Sequence, residues 1–529
     1  MNSIEFKKSF NISQAGKHCH IRFGDIDGDG RMEFILVKPS PALDERYFSR
    51  QIASATAYDV DGNLIWQIGD AETQSTPYRG DLPAQVFDID NDGKNEFIFI
   101  INDELCVADG KTSEIKKKVP LPSKHACDCI VIADLEGKGY PQNIIIKNKY
   151  SQMWAYDANL NILWTFSGNL GNTPIAWDIN GDGKDEIIAG YNVLSGSGEL
   201  LWKVHMPACA ESVYADDLYD NGETSVIICG PRMEVYTSSG ELLFTLFKKA
   251  DKVTSGHFRS GIADKDLLLF DDLSIFNLKG EFQFKKNETI YLPTLVNNFD
   301  GSGKTYIAGH KKEDVNTTVY DTDMRSIYTL PTFGNIASCD LLGDGISQIL
   351  IYNDENIDIY SAFETDFSIG SRSFAIQQPK QYYNVSCHNL LPISHLTTGS
   401  ISEDYTAQSQ LNWIDTYVNL NLYNRFSKVP RYEFVQILAN LLNLKEDFSD
   451  NFADVSKEDL YYEAVGTFRS MGIISSADNM FMPNEPITVL MANKILEKLE
   501  IPLDFKFDDN YTISKQDAAR LIVSLRDQG

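Results

Sequence analysis

Over roughly the first 360 residues the apolar positions fall in short runs of four to six, without the three- and four-residue spacing of helices. EFILV (33–37), EFIFII (96–101), EIIAGY (186–191) and SVIICG (225–230) are nearly continuous and rich in Ile, Val and Phe, as expected of strands covered on both faces. Each run is followed by a second strand, a turn and an aromatic-bearing strand: AYDVDGNLIW (57–66), AYDANLNILW (155–164), VLSGSGELLW (193–202) and VYTSSGELLF (235–244). The Asp-Gly and Ser-Gly pieces suit hairpin turns that need positive φ, and Asn-Leu-Asn offers side-chain-to-backbone bonding in the same place.

An Asp-rich loop precedes each run. FGDIDGDG (23–30) recurs as FDIDNDG (87–93) and WDINGDG (177–183), with weaker copies beginning at Asp134, Asp217, Asn298 and Asp340. The period is about 40 residues, and the double interval before Asn298 holds a worn copy near Gly256-His257-Phe258-Arg259. The long interval after the first loop contains an insertion, Lys38 to Ser54. Eight units of four strands predict a mainly β chain whose residues 1–395 form an eight-bladed β-propeller.

Positions one, three and five of D-x-D-x-D-G converge on one hard cation, joined by a carbonyl at seven and a carboxylate at nine; the glycine at six allows the sharp turn. Calcium is therefore the expected cofactor. The full ligand sets are Asp25, Asp27, Asp29 and Glu33; Asp88, Asp90, Asp92 and Glu96; and Asp178, Asn180, Asp182 and Glu186. In the third loop Lys138 stands at position five beside Asp134 and Glu136, an ammonium in place of the ion. Clusters of three or four carboxylates repel unless compensated, so the metal is expected to pin blade loops rather than to catalyse.

Charge and length complete the outline. At 529 residues the chain exceeds one ordinary core. A net charge of −28 disfavours nucleic acid and anionic membranes and favours bound cations. No apolar run is long enough for a membrane span. The eight cysteines are scattered without a CxxC pair and read as buried reduced thiols. His18 and His20 flank Cys19 on a strand-like stretch and read as packing residues. MNSIEFKKSF has no apolar stretch behind its lysines, so no export signal is read; the chain as written is cytoplasmic, and outside the cell or at the wall if a leader was removed.

FGDIDGDGRMEFILVKPS, ATAYDVDGNLIWQIGD and YRGDLPAQVFDIDNDGKNEFIFI, and more weakly SRSFAIQQPKQYYN, resemble the eight-bladed propeller of rhamnogalacturonan lyases of the FG-GAP-like type. Integrin-like propellers share the Asp loops. The resemblance implies pectin cleavage by β-elimination with calcium at the substrate site, which needs a base for the proton α to a uronate and a cation for the enolate-like charge. Candidate bases are Arg79, Lys124, His125, Lys147 and Tyr150. The chain departs from the family where Ala208-Cys209-Ala210-Glu211 replaces a Gly-His-Gly-Asp-like stretch and Gly171-Asn172-Thr173-Pro174 replaces Asn-His-Asn-Leu. Both changes remove imidazoles, so binding of polysaccharide or of a protein partner is favoured over catalysis.

After a linker at 396–410 the pattern turns helical over 411–529. FADVSKEDLYYEAVGTFRSMGIISSADNMFMPNEPIT (452–488) resembles an S-layer homology repeat, with partial copies on either side that would complete one helical bundle. Such modules hold cell-wall polymer through a Thr-Arg-Ala-Glu motif. Its counterparts here are Pro430-Arg431-Tyr432-Glu433, Thr488-Val489-Leu490-Met491 and Ser514-Lys515-Gln516-Asp517. The resemblance thus implies polymer contacts by Arg431, Glu433, Lys515 and Asp517, since an anionic saccharide needs Arg or Lys donors.

Overall fold

In a computed structural model the protein divides into two compact units, one within residues 1–399 and one within residues 400–529. The structure describes residues 5–362 apart from short loop stretches, residues 384–387, most of 428–513, and Ala518. The expected linker at 396–410 lies outside the described residues.

The first unit is an eight-bladed β-propeller. Its thirty-two described strands form eight four-stranded antiparallel sheets, seven of them in simple sequence order. Blade one comprises β2 (His20–Gly24), β3 (Glu33–Pro39), β4 (Ile52–Tyr58) and β5 (Leu64–Gly69). Blade two comprises β6 (Ala84–Phe87), β7 (Glu96–Ile101), β8 (Glu104–Asp109) and β9 (Ile115–Pro120). The eighth blade takes its outer strand from the other end of the chain: β1 (Glu5–Asn11) pairs with β32 (Asn356–Ser361) and closes the ring. First strands of successive blades touch around the axis, as β2 and β6 do.

The apolar runs are continuous because neighbouring blades cover both faces of the middle strands. β3 is buried along its whole length, whereas the outer strand β9 exposes alternate residues. In blades three and four the aromatic of the outer strand and the glycine of the next blade's hairpin turn form one device. Trp164 Nε1 donates to Gly196 O at 2.9 Å and Trp202 Nε1 to Ser238 O at 2.9 Å, each reaching the hairpin turn of the next blade. The indoles lie flat on Gly198 and Gly240, where a Cβ would come within 2.6 and 2.8 Å of the ring. Both glycines also hold positive φ, so they serve turn and close contact at once. In blade two, Lys117 takes the tryptophan's place and its Nζ donates to Ala158 O at 2.8 Å.

The second unit contains α1 (Arg431–Leu441), α2 (Tyr462–Ser470) and α3 (Val489–Lys498) around a core that includes Phe434, Leu438, Val465, Phe468 and Leu496. Three buried residues close a ring of backbone hydrogen bonds: Val429 N to Ile513 O, Ile513 N to Ile487 O, and Ile487 N to Val429 O, at 2.9 to 3.0 Å. Each stands two residues before the second position of one tetrapeptide noted above, so the three repeat openings meet at a local threefold arrangement. Among the described residues no helix is long and apolar enough to cross a membrane.

Candidate functional site

Strand direction alternates within a blade, so the ends of the ring carry different loops. Loops joining first to second and third to fourth strands share one face. Loops joining second to third strands, and blade to blade, share the other. The described Asp loops, those beginning at Asp25, Asp88, Asp134 and Asp178, each join a first to a second strand and therefore lie on the first face. Arg79, Lys124, His125, Lys147 and Tyr150 all lie toward the second. The Asp loops are thus separated from the candidate bases by the length of the strands.

The Asp loops wrap backbone N–H groups onto their own carboxylates. Asp25 Oδ1 accepts from Gly28 N at 2.7 Å, and Asp27 Oδ1 accepts from Asp29 N at 3.1 Å. Asp88 accepts from Asp92 N and Gly93 N, and Asp178 from Gly181, Asp182 and Gly183 N. Carboxylate oxygens of Asp25, Asp27 and Asp29, and of Asp88, Asp90 and Glu96, gather within 4.8 Å of one another. Glu33 and Asp92 stand outside these triads. In the fourth loop the amide of Asn180 donates to Glu186 Oε1 at 3.0 Å, with Asp182 Oδ2 at 3.5 Å.

The ninth residue shows what the carboxylate is for. Glu33, Glu96 and Glu186 each accept the N–H of the loop's second residue (Ile26, Ile89, Ile179) at 2.9 to 3.1 Å. Burial, with neighbouring aspartates adding to it, pushes Glu33 up to about 8 and Glu96 and Glu186 up to about 7. In blades three and eight a neutral amide makes the same bond: Asn143 Oδ1 to Leu135 N at 2.9 Å and Gln348 Oε1 to Leu341 N at 2.8 Å. The hydrogen bond alone therefore does not need a glutamate. A buried glutamate beside aspartates, with Asp90 Oδ1 buried and unbonded, fits a site for a hard divalent cation. Lys138, expected to fill the third loop, donates to Glu136 at 3.0 Å; only its backbone N–H reaches Asp134, at 3.0 Å.

On the opposite face the candidate bases have separate fates. Lys147 is fully buried; its Nζ lies 2.5 Å from Asp128 Oδ2 and also donates to the carbonyls of Asn148, Lys149 and Gly171 at 3.1, 2.6 and 3.4 Å. It is a framework cation with its donors committed. Tyr150 is half-buried, and burial raises its phenol. Arg79 is exposed, and its carbonyl accepts from Cys387 Sγ at 3.1 Å. His125 packs against Phe48, with ring centroids 4.5 Å apart and the planes tilted by 37°.

Lys124 and His125 line an open cavity of about 580 Å³ between blades one and two, together with Gln51, Asp70, Thr73 and Asp103. Asp70 is held by Glu72 N and Thr73 Oγ1, and Asp103 by Gln51 Nε2 at 2.5 Å. The insertion after β3 forms one wall through Ser40, Pro41 and Ser49. Nothing in the repeat pattern marked this cavity; its signal was the insertion itself.

Residues 384–387 bond to the innermost strands. Asn384 Oδ1 accepts from Ile132 N and its Nδ2 donates to Ile132 O, both at 2.8 Å. Gln85 accepts from Val385 N and donates to Val385 O. Ser386 Oγ and Cys387 N both donate to the buried Asp81, at 3.0 and 2.5 Å. This segment fills the space along the first strands of blades two to four, leaving a void lined by Gln85, Ile130, Thr173 and Val385.

His20 is half-buried and its Nε2 lies 3.1 Å from Tyr78 O, while His18 sits 3.9 Å from Asp354. The eight cysteines are free thiols, six of them buried. In the second unit Arg431 Nη1 donates to Phe481 O at 3.1 Å, and Glu433 lies on the first turn of α1. Lys515 and Asp517 lie outside the described residues.

Comparison with known proteins places the architecture. The chain is similar in fold to a rhamnogalacturonan lyase of Bacillus licheniformis, at 17% identity and a TM-score of 0.50 over 74% of this chain and 79% of that one. It is also similar to an exotype rhamnogalacturonan lyase, at 19% identity and a TM-score of 0.47 over 68% and 74%. No protein-family model and no curated protein matches the sequence. At this identity the likeness is one of fold.

Proposed function

We propose that the propeller is a calcium-pinned module that binds acidic polysaccharide in the cavity between blades one and two, and that the second unit attaches it to a wall polymer or a partner. The cavity carries the reading. Asp70 and Asp103, oriented by their own hydrogen bonds, can only accept, which suits the hydroxyl donors of a sugar. Lys124 offers an exposed ammonium to a uronate carboxylate. The volume of about 580 Å³ falls in the range of small-molecule sites. Calcium is supported by the contrast between blades: glutamate stands beside the aspartates of the first, second and fourth loops, whereas blades three and eight make the same hydrogen bond with Asn143 or Gln348. The three repeat openings of the second unit, meeting at Val429, Ile487 and Ile513, support an S-layer-homology-like attachment role.

Calorimetry with rhamnogalacturonan and polygalacturonate oligosaccharides tests the binding reading. Lys124→Ala should weaken binding about tenfold, as loss of a charge-assisted contact does; failure of every acidic oligosaccharide to bind refutes it. A β-elimination reading is favoured by one observation, that His125 and Lys124 share the cavity as base and cation. Appearance of unsaturated uronates in ultraviolet absorbance, abolished by His125→Ala, would establish it.

A further inference from the structure

We propose that Lys116 is a built-in cation for the second Asp loop, so that this loop is held without metal and takes calcium only by expelling the lysine. The inference rests on the calcium reading above and separates one loop from the others. From the outer strand β9, Lys116 Nζ reaches across the blade to Asp90 Oδ2 and Glu96 Oε1, both at 2.8 Å, with Asp92 Oδ2 at 3.6 Å. Three of the four ligand side chains of that loop therefore face one ammonium.

The repeat supplies its own control. Lys116 is the extra residue of a bulge in β9, between Ile115, which pairs with Ala108, and Lys117, which pairs with Val107. The same register puts Ile65, Leu163, Leu201, Leu243, Gln283 and Ile327 at this position in the other blades whose outer strand is fourth in sequence. Blade two alone among these has a basic residue there. Blade four carries a comparable Asp loop but presents Leu201, so it is the uncompensated control; blade one presents Ile65, and its loop has a cation of its own in Arg31, whose Nε donates to Asp29 Oδ2 at 2.6 Å. Lys117 and Lys118 are engaged elsewhere, with Ala158 O and with Glu104 at 3.0 Å. The lysine run of β9 is thus three separate contacts, of which one enters the loop. A single ammonium brings one charge to three or four carboxylates and leaves Asp90 Oδ1 unbonded. The loop keeps a residual demand that a divalent ion would meet better, provided Nζ leaves.

The test uses the full chain, with calcium titration by calorimetry and thermal unfolding in chelator. In chelator Lys116→Met should unfold several degrees below wild type, while Lys116→Arg, which keeps the charge, and Leu201→Met should not. Added calcium should restore Lys116→Met and bind one loop about tenfold tighter than in wild type, within the range that ligand charge tunes. Equal stability of Lys116→Met and wild type in chelator overturns the internal cation, whatever the other loops bind. A destabilised Lys116→Met with an unchanged calcium isotherm overturns the competition. If neither protein binds calcium, the calcium reading fails and the displacement with it, while the chelator comparison still decides whether the ammonium serves as the loop's cation.

Discussion

Lys147→Met should unfold the propeller more easily by about 3–5 kcal/mol without altering ligand binding by the folded protein, because Lys147 belongs to the framework. The side chain is wholly buried, and its ammonium serves Asp128 and three backbone carbonyls. Methionine fills most of the volume, so little of the loss is a cavity. The cost comes from Asp128, left with the Ser49 hydroxyl as its remaining side-chain partner while nearly buried, and from carbonyls without a donor. At about 2–4 °C per kcal/mol for domains of 150–250 residues, and less for a larger ring, the midpoint should fall by roughly 5 °C. Unfolding followed by tryptophan fluorescence reads this, and Asp128→Asn alone and combined with Lys147→Met completes a double-mutant cycle. The double variant should recover part of the loss, since it removes the stranded charge. A loss under about 1 kcal/mol, or additive single effects, would refute the reasoning.

Three further outcomes follow from the same geometry. Glu33→Gln keeps an acceptor for Ile26 N, as Gln348 does for Leu341, so the variant should match wild type in chelator yet lose part of the stabilisation by calcium in thermal scans. Burial, aided by Arg22, lowers His20 to about 4. Between roughly pH 6.5 and 4 the unfolded chain then binds a proton that the fold refuses, so stability falls as pH drops through that window, and the slope should flatten in His20→Gln. Gly198→Ala drives a Cβ into the Trp164 ring at a positive φ and should cost more than about 1 kcal/mol, measured by urea midpoint.

The fold was legible because repetition multiplied weak signals. One apolar run such as 186–191 is ambiguous, but eight such units with Asp loops at a constant offset define a propeller. The C-terminal helices were legible from their apolar spacing and the matching openings at Arg431 and Val489. Pairings between distant positions were not. Nothing local to IKKKVP says that Lys116 reaches Asp90 while Lys117 reaches Ala158, since both depend on which side of the strand faces its own loop. Lys147 read as a candidate base because its burial depends on Asp128, nineteen residues earlier. Lys138, by contrast, stood beside Asp134 and Glu136 in the sequence, and its ammonium does reach Glu136.

The strand that closes the ring also sets a timetable. β1 is made before the other strands of the propeller, but its partner β32 emerges some 350 residues later. At about 5–20 residues per second, synthesis leaves the first strand waiting roughly 20–70 s. Through that interval β1 is an unpaired edge able to join a neighbouring chain, and its lysines make it a poor template for doing so. A nascent chain stalled short of residue 356 would expose both edges at once, that of β1 and that of the unfinished blade. Ribosome pausing in the eighth blade would therefore leave two open edges within reach of a neighbouring chain.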